Sequence, residues 1–345
     1  MILYYATFIP GLQTFIAQVI KERLPDAKIN KLLDGAVIFE TETTYDKLNF
    51  FCFNNIFALL GIMEQAQGAN ALQDHINAVI HGAYGDEKII SANTKNIRTF
   101  RIVISRENTP ASIDEKLRLK AEKLISDISG LKINRTLPDT EFWFLYRNEE
   151  NQKENFSVFM KRLTLRPSWE KTLRKGELPP PVAWTLCRLA RLSHNETVLD
   201  PFCGYGSIPE SALKHFHITK FIACDNNKHS ALFSAERFKK RKKDEFIIHQ
   251  TDFSALPSLI AEKSIDAIVT DPPWGQFREI KDDAFHVKMF GVFNKLLKDG
   301  GRAVVLYAND DEFLRAVPDC FKLENSLQIL LSGRKAVIYV FVKKE

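Results

Sequence analysis

Apolar positions in the C-terminal half fall in short continuous runs separated by amphipathic stretches, the pattern of parallel strands buried on both faces that alternate with helices. Such runs cover residues 197–200, 220–224, 245–250, 265–270 and 301–307, and two further β-rich runs at 322–331 and 335–342 meet at Ser332 and Gly333. This order predicts a parallel sheet closed by an antiparallel hairpin. The N-terminal half reads as an α+β arrangement: strand 3–8, a helix over 12–23 after Pro10 and Gly11, strand 37–41 after a turn at Gly35, and a helix over 44–60. Phe15, Ile16, Phe39, Phe51 and Phe57 are the expected core of that layer. A strand at 99–104 follows, then a helix opened by the capping-box pair Ser112 and Glu115 and stopped at Gly130, then strands at 139–146 and 156–165. The expected organisation is therefore 1–68, 69–165, a connection at 166–180, and an α/β domain over 181–345. The connection is marked by four prolines and one glycine between residues 166 and 181. Pro180 stands at the start of a helix expected over 182–192.

A chain of 345 residues can bury more than one core, and its net charge of +5 permits a nucleic-acid partner without requiring one. The five cysteines, Cys52, Cys187, Cys203, Cys224 and Cys320, form no C-x-x-C pair and have no histidine at metal-ligand spacing, so they read as reduced thiols. No zinc pattern occurs among the histidines, and no metal is expected. The start of the chain lacks a basic region with a small-residue cleavage site, and the apolar stretch 50–60 is broken by Asn54 and Asn55. A soluble, cytoplasmic protein without a membrane partner is the expectation.

The candidate chemistry sits where the strands end, because ligands of open α/β sheets bind at that edge. After the run 265–270 come Asp271, Pro272, Pro273 and Trp274. Two prolines force a stiff extended turn. The Asp271 carboxylate and the Pro272 carbonyl can accept both N–H groups of a nucleobase amine, favouring the pyramidal nitrogen that attacks an electrophile. Trp274 offers a face on which the base stacks, worth roughly 1 to 3 kcal/mol. Earlier, Asp200, Pro201, Phe202, Cys203, Gly204, Tyr205 and Gly206 form a strand-to-helix loop whose glycines let backbone approach a ligand. Asp225 ends the next strand, where it can accept ribose hydroxyls; Asp252 and Phe253 follow the strand after that, placed for an adenine amino group and ring. The third glycine of a dinucleotide fingerprint is replaced by Pro209, which favours a nucleoside over a pyrophosphate ligand. Two basic groups, Arg166, Lys171, Arg174 and Lys175 in the connection and the run 239–243, are candidate phosphate contacts.

The D-P-F-C-G-Y-G motif followed by D-P-P-W is similar to the amino-group methyltransferases of nucleic acids. The closing hairpin resembles that of Rossmann-fold enzymes using S-adenosylmethionine. The order F-R-I, a long helix, "G-L-K-I-N-R-T-L-P-D-T-E-F" and a strand carrying Lys161 and Arg162 resembles a THUMP domain, preceded by a segment that resembles the ferredoxin-like unit found before it. Taken together the chain resembles the THUMP-containing tRNA guanine-N2 methyltransferases. The resemblance implies an RNA-binding α+β half ahead of a Rossmann-like catalytic domain, S-adenosylmethionine as cofactor and tRNA as partner. It implies that Leu178 opens the lead-in to the cofactor pocket. Asp200, Phe202, Gly204 and Gly206 would surround the methionine end, Asp225 the ribose, and Asp252 and Phe253 the adenine, while Asp271, Pro272 and Trp274 face the target guanine. Many relatives carry Thr after the second glycine and Glu four places later; here Ser207 takes the first position and Glu210 stands one place early. Alternative readings are a ribosomal RNA substrate, an adenine-N6 methyltransferase, and a non-catalytic RNA-binding adaptor.

Overall fold

The computed structural model describes all residues except 49, 66–67, 69, 85–96, 108, 150–153, 165–172, 243, 275–283, 309–310 and 332. The chain divides into two compact units, one of Met1–Phe8 with Gln13–Pro167 and the other of Ile9–Leu12 with Ser168–Glu345.

The first unit holds β1 (Ile2–Thr7), α1 (Gln13–Arg23), β2 (Lys28–Leu33), β3 (Ala36–Thr41), β4 (Asn55–Glu64), α2 (Ala71–Ile80), β5 (Thr99–Arg106), β6 (Thr109–Pro110), α3 (Glu115–Ser129), β7 (Lys132–Ile133), β8 (Thr140–Glu149) and β9 (Glu154–Arg162). They build one sheet in the order β2-β3-β1-β4-β9-β8-β5-β6, with β7 on β5. Strands from 1–68 and from 69–165 thus share a sheet, through the β4–β9 pairing.

The structure overturns two expectations and adds a strand. The helix expected over 44–60 is instead a short 3-10 turn at Tyr45–Lys47 followed by strand β4. β4 lies between β1 and β9 and is buried for most of its length, and a continuous apolar run of that kind carries no period that separates helix from strand. β2 was not expected; its lysines place it at the sheet edge, and Asp34 with Gly35 (φ 80°) turns it into β3 with Leu33 opposite Ala36. The cap of α3 is Asp114, whose side chain accepts the Leu117 N–H, rather than Ser112. Gly130 ends that helix in the left-handed region as expected.

α2 was also unforeseen. It packs against the sheet and buries His75, whose Nδ1 lies 2.7 Å from Ser157 Oγ. Burial pushes the His75 pKa down to about 4, because an imidazolium there would lose its hydration.

The second unit holds α4 (Pro180–Leu189), β10 (Thr197–Asp200), α5 (Ser207–His215), β11 (Lys220–Cys224), α6 (Lys228–Arg237), β12 (Phe246–His249), β13 (Ile265–Thr270), α7 (Phe285–Leu296), β14 (Leu297–Ala308), α8 (Asp311–Arg315), β15 (Phe321–Leu331) and β16 (Arg334–Lys343). Its sheet runs β12-β11-β10-β13-β14-β16-β15. The first five are parallel and β15 and β16 form the antiparallel hairpin that the pattern predicted; β16 inserts between β14 and β15. The reversal of strand order beside β10 creates the crevice expected of a doubly wound sheet. Beneath it lies an aromatic-rich core including Phe290, Phe293, Phe313, Tyr339 and Phe341. All five cysteines are free thiols and four are buried.

Candidate functional site

Because β12, β11, β10 and β13 are parallel neighbours, the acids that follow or end them line up along one edge in the order Asp252, Asp225, Asp200, Asp271. With strands about 4.8 Å apart, the row spans roughly 14 Å. Asp200 ends its strand, Asp225 and Asp271 come one residue after theirs and Asp252 three after its own, so the alignment follows from register rather than from long-range chance.

Asp200 is 1% exposed, and its Oδ1 accepts from the Thr270 hydroxyl at 2.7 Å and from the Phe202 N–H at 3.1 Å. Its Oδ2 is buried without a partner among the described residues. Burial, with the nearby charges of Asp271 and Asp225 adding to it, pushes its pKa up to about 8 against those hydrogen bonds. A buried carboxylate oxygen without a donor is costly unless a ligand supplies one.

The loop after Asp200 is built for close approach. Gly204 (φ 52°) and Gly206 (φ 88°) are both left-handed. A Cβ at Gly204 would meet open space, whereas one at Gly206 would lie 2.9 Å from the Phe238 ring and Ser234 Oγ. Gly206 caps α5, and Ser234 Oγ donates to the Gly204 carbonyl at 3.0 Å. Asp225 fixes the same loop: its Oδ2 accepts the Gly204 N–H at 2.9 Å and its Oδ1 the Asn227 N–H at 2.8 Å. Asp252 is exposed and caps the 3-10 turn Phe253–Ser258, spending Oδ1 on the N–H and hydroxyl of Ser254.

Phe202, Phe253 and Phe285 form an aromatic triad, with centroids 5.0, 5.8 and 5.4 Å apart. Phe253 is largely enclosed in the core, while Phe202, Phe285 and Trp274 pack on the core's edge. At the end of β13, the Trp274 indole N–H donates to Asp271 Oδ1 at 2.8 Å. The protein surrounding the Asp271 carboxyl pushes its pKa up to about 7, although part of the residue reaches the surface and the Trp274 bond opposes the shift. Pro272 is buried beside it.

Leu178 is buried just ahead of α4. Its neighbour Glu177 ties the lead-in to the glycine loop: Arg237 donates to Glu177 Oε1 and to the Tyr205 carbonyl, both at 2.9 Å, and pairs with Glu210. Glu210, one place early for the family pattern, thus holds an arginine on α6.

Sequence reasoning missed Thr270, Phe285, Glu177 and Arg237. A hydroxyl closing an otherwise apolar strand directly before Asp271 was a readable signal for Thr270; the others depend on tertiary contact. Of the sequence candidates, Arg166, Lys171 and Lys243 lie outside the described residues.

The chain is similar to several known methyltransferases. The family model of RMKL-like methyltransferase domains matches residues 167–326. The chain is 28% identical over 238 residues to a tRNA (guanine(10)-N2)-dimethyltransferase of Methanocaldococcus jannaschii, a stretch covering 64% of this chain and 64% of that protein. The match therefore spans just under two thirds of that relative's length. Among solved structures, TrmN from Thermus thermophilus superposes with a TM-score of 0.78 at 19% identity, covering 99% of this chain and 100% of the other. SMU.472, described as a putative methyltransferase complexed with SAH, superposes with a TM-score of 0.72 at 13% identity, covering 100% of this chain and 98% of the other. The fold is thus that of a mixed α/β protein with a Rossmann-like methyltransferase domain. No helix among the described residues is long and apolar enough to cross a membrane.

Proposed function

We propose that this chain transfers the methyl group of S-adenosylmethionine to the exocyclic N2 amine of a guanosine in tRNA. The observation that carries the reading is the row of four acids ending at Asp271, whose Oδ1 is held by the Trp274 indole N–H. The matched methyltransferase family and the substrate class of the Methanocaldococcus relative support it.

The residues present fit the cofactor. The orphaned Asp200 Oδ2 suits an ammonium group, and Gly204 leaves space where a side chain would stand. Asp225, oriented by two backbone N–H groups, has further lone pairs for ribose hydroxyls. Asp252 Oδ2 has no hydrogen-bond partner among the described residues and suits an adenine amino group beside Phe253. Leu178, Phe202 and Gly206 complete the enclosure. The cofactor supplies the electrophilic sulfonium methyl.

Asp271 keeps Oδ2 for one N–H of the guanine amine, since Oδ1 is engaged by Trp274. The Pro272 carbonyl takes the other N–H, held by a turn that two prolines stiffen. Proximity and alignment supply most of the rate, and no metal is invoked. With its pKa near 7, Asp271 accepts at Oδ2 the proton that the alkylated amine releases. The target base leaves its stack at a cost of a few kcal/mol, offset in part by stacking on Trp274. The first unit, as a ferredoxin-like and THUMP-like module, would hold the RNA by shape and backbone contacts.

The test is transfer of labelled methyl to unmodified tRNA transcripts by wild type and Asp271→Ala, followed by nucleoside analysis. The expected product is N2-methylguanosine, reduced by about 100-fold or more in the variant. Label appearing in N6-methyladenosine, or only when ribosomal RNA or duplex DNA is the acceptor, would overturn the substrate assignment.

A further inference from the structure

Beside the glycine loop, and separate from the row of acids, Arg174 lies exposed on the surface with its guanidinium carbon 3.8 Å from the Phe233 ring centroid and 5.4 Å from that of Tyr205. The two rings meet edge to face at 5.6 Å, and His229 packs against Tyr205 at 6.2 Å. The backbone of Arg174 is fixed as well: its N–H donates to Glu177 Oε2 at 3.1 Å and its carbonyl accepts the Glu177 N–H at 3.0 Å.

The nearby carboxylates are spent elsewhere. Glu177 and Glu210 both pair with Arg237, and the Arg174 guanidinium makes no hydrogen bond or ion pair with the described residues. A planar cation seated on two rings, with its N–H fork facing solvent, loses little conformational entropy when it meets a doubly coordinating oxyanion. Phosphate matches such a fork, and a surface this open can admit it.

A basic run follows the end of α6, the helix that carries Phe233. Lys239, Lys240, Arg241 and Lys242 are all exposed. Lys239 is neutralised by Glu236, and Arg241 faces Glu245 at 3.7 Å, but Lys240 and Lys242 face no carboxylate among the described residues. Cations interleaved with aromatic faces are what a nucleic-acid backbone with unstacked bases requires.

We propose that Arg174 on its Phe233 and Tyr205 seat is a phosphate-binding site for the RNA backbone, extended by Lys240 and Lys242, through which the methyltransferase unit itself holds the substrate strand. This rests on the RNA substrate proposed above. Tyr205 follows Gly204 directly, so a phosphate gripped here lies next to the glycine loop.

The experiment uses the full chain as wild type, Arg174→Ala, Arg174→Lys and the double variant Lys240→Ala with Lys242→Ala. Affinity for unmodified tRNA is measured across a salt series, alongside affinity for S-adenosylhomocysteine. Arg174→Ala is expected to bind tRNA several-fold more weakly and to lower the slope of log affinity against log salt by about 0.7 to 0.9, with S-adenosylhomocysteine binding unchanged. Arg174→Lys should recover the slope but not the full affinity, because an ammonium lacks the stacked fork. The double lysine variant should lower the slope further, by up to about twice that amount. Wild-type methylation of tRNA with unchanged affinity and slope in Arg174→Ala overturns the phosphate site alone. Loss of S-adenosylhomocysteine binding in Arg174→Ala also overturns it, by assigning the arginine to the cofactor. A wild type that neither binds nor methylates tRNA overturns the proposed function together with the site.

Discussion

Replacing Thr270 by Val removes one hydroxyl at nearly constant shape and is the sharpest probe of the buried acid. Thr270 is fully buried and donates to Asp200 Oδ1 at 2.7 Å, leaving only the Phe202 N–H on that oxygen when it is gone. A hydrogen bond to a charged group contributes about 1.5 to 3 kcal/mol, which is about 1 to 2 pKa units. Asp200 already has its pKa pushed up to about 8. With that value about one molecule in ten is ionised at neutral pH, and the variant should hold roughly ten- to a hundredfold fewer. An ammonium-bearing ligand requires the ionised form, so S-adenosylhomocysteine should bind Thr270→Val about ten- to a hundredfold more weakly at neutral pH. As pH rises toward the raised pKa of the variant, a growing share of its Asp200 is ionised in the free protein, and the gap should narrow. Calorimetric titration across pH 6 to 10 reads this directly, with Thr270→Ser as the rescue. Equal affinities at neutral pH, or a loss that stays constant to high pH, would refute the role given to the Asp200 pair.

Trp274→Phe keeps a ring over the site but removes the indole N–H that holds the Asp271 carboxylate down in pKa. The acid limb of kcat/KM, expected near pH 7 in wild type, should therefore move to higher pH; an unmoved limb would show that Asp271 is not the group titrating. Gly206→Ala forces a left-handed φ of 88° on a residue whose Cβ would lie 2.9 Å from Phe238 and Ser234. Thermal or urea unfolding should show a loss of about 2 to 5 kcal/mol, and a loss under about 1 kcal/mol would contradict the crowding. The His75 imidazole, with its pKa depressed from 6.5 to about 4, stays neutral in the native state. Between those values the unfolded chain binds a proton that the native chain refuses, so stability falls as pH falls through that window, by at most about 3 kcal/mol. Proton NMR should find the His75 ring signals unmoved until pH nears 4, and a titration centred near 6.5 would refute its burial.

Local pattern alone determined the α/β half of this protein. Apolar runs that stop at or just before Asp200, Asp225 and Asp271 are too short for helices and are bounded by turn residues, so they read as strands, and the four-acid row follows once those strands are parallel neighbours. The closing hairpin was also legible, because Gly333 joins two β-rich runs that return antiparallel, while the place of its last strand between β14 and β15 is a tertiary outcome. Tertiary structure decided what local pattern left degenerate. Residues 55–64 became β4 rather than helix because β1 and β9 supply hydrogen bonds on both sides, and edge strand β2, which carries two lysines, exists only because β3 offers a partner. The settings of the acids are tertiary too. Asp200 is loaded by Thr270 from the neighbouring strand, Glu177 reaches the glycine loop through Arg237, and Arg174 rests on rings more than thirty residues away. Sequence spacing names the side chains at an edge, but their charge state and aim depend on which buried groups the folded chain brings against them.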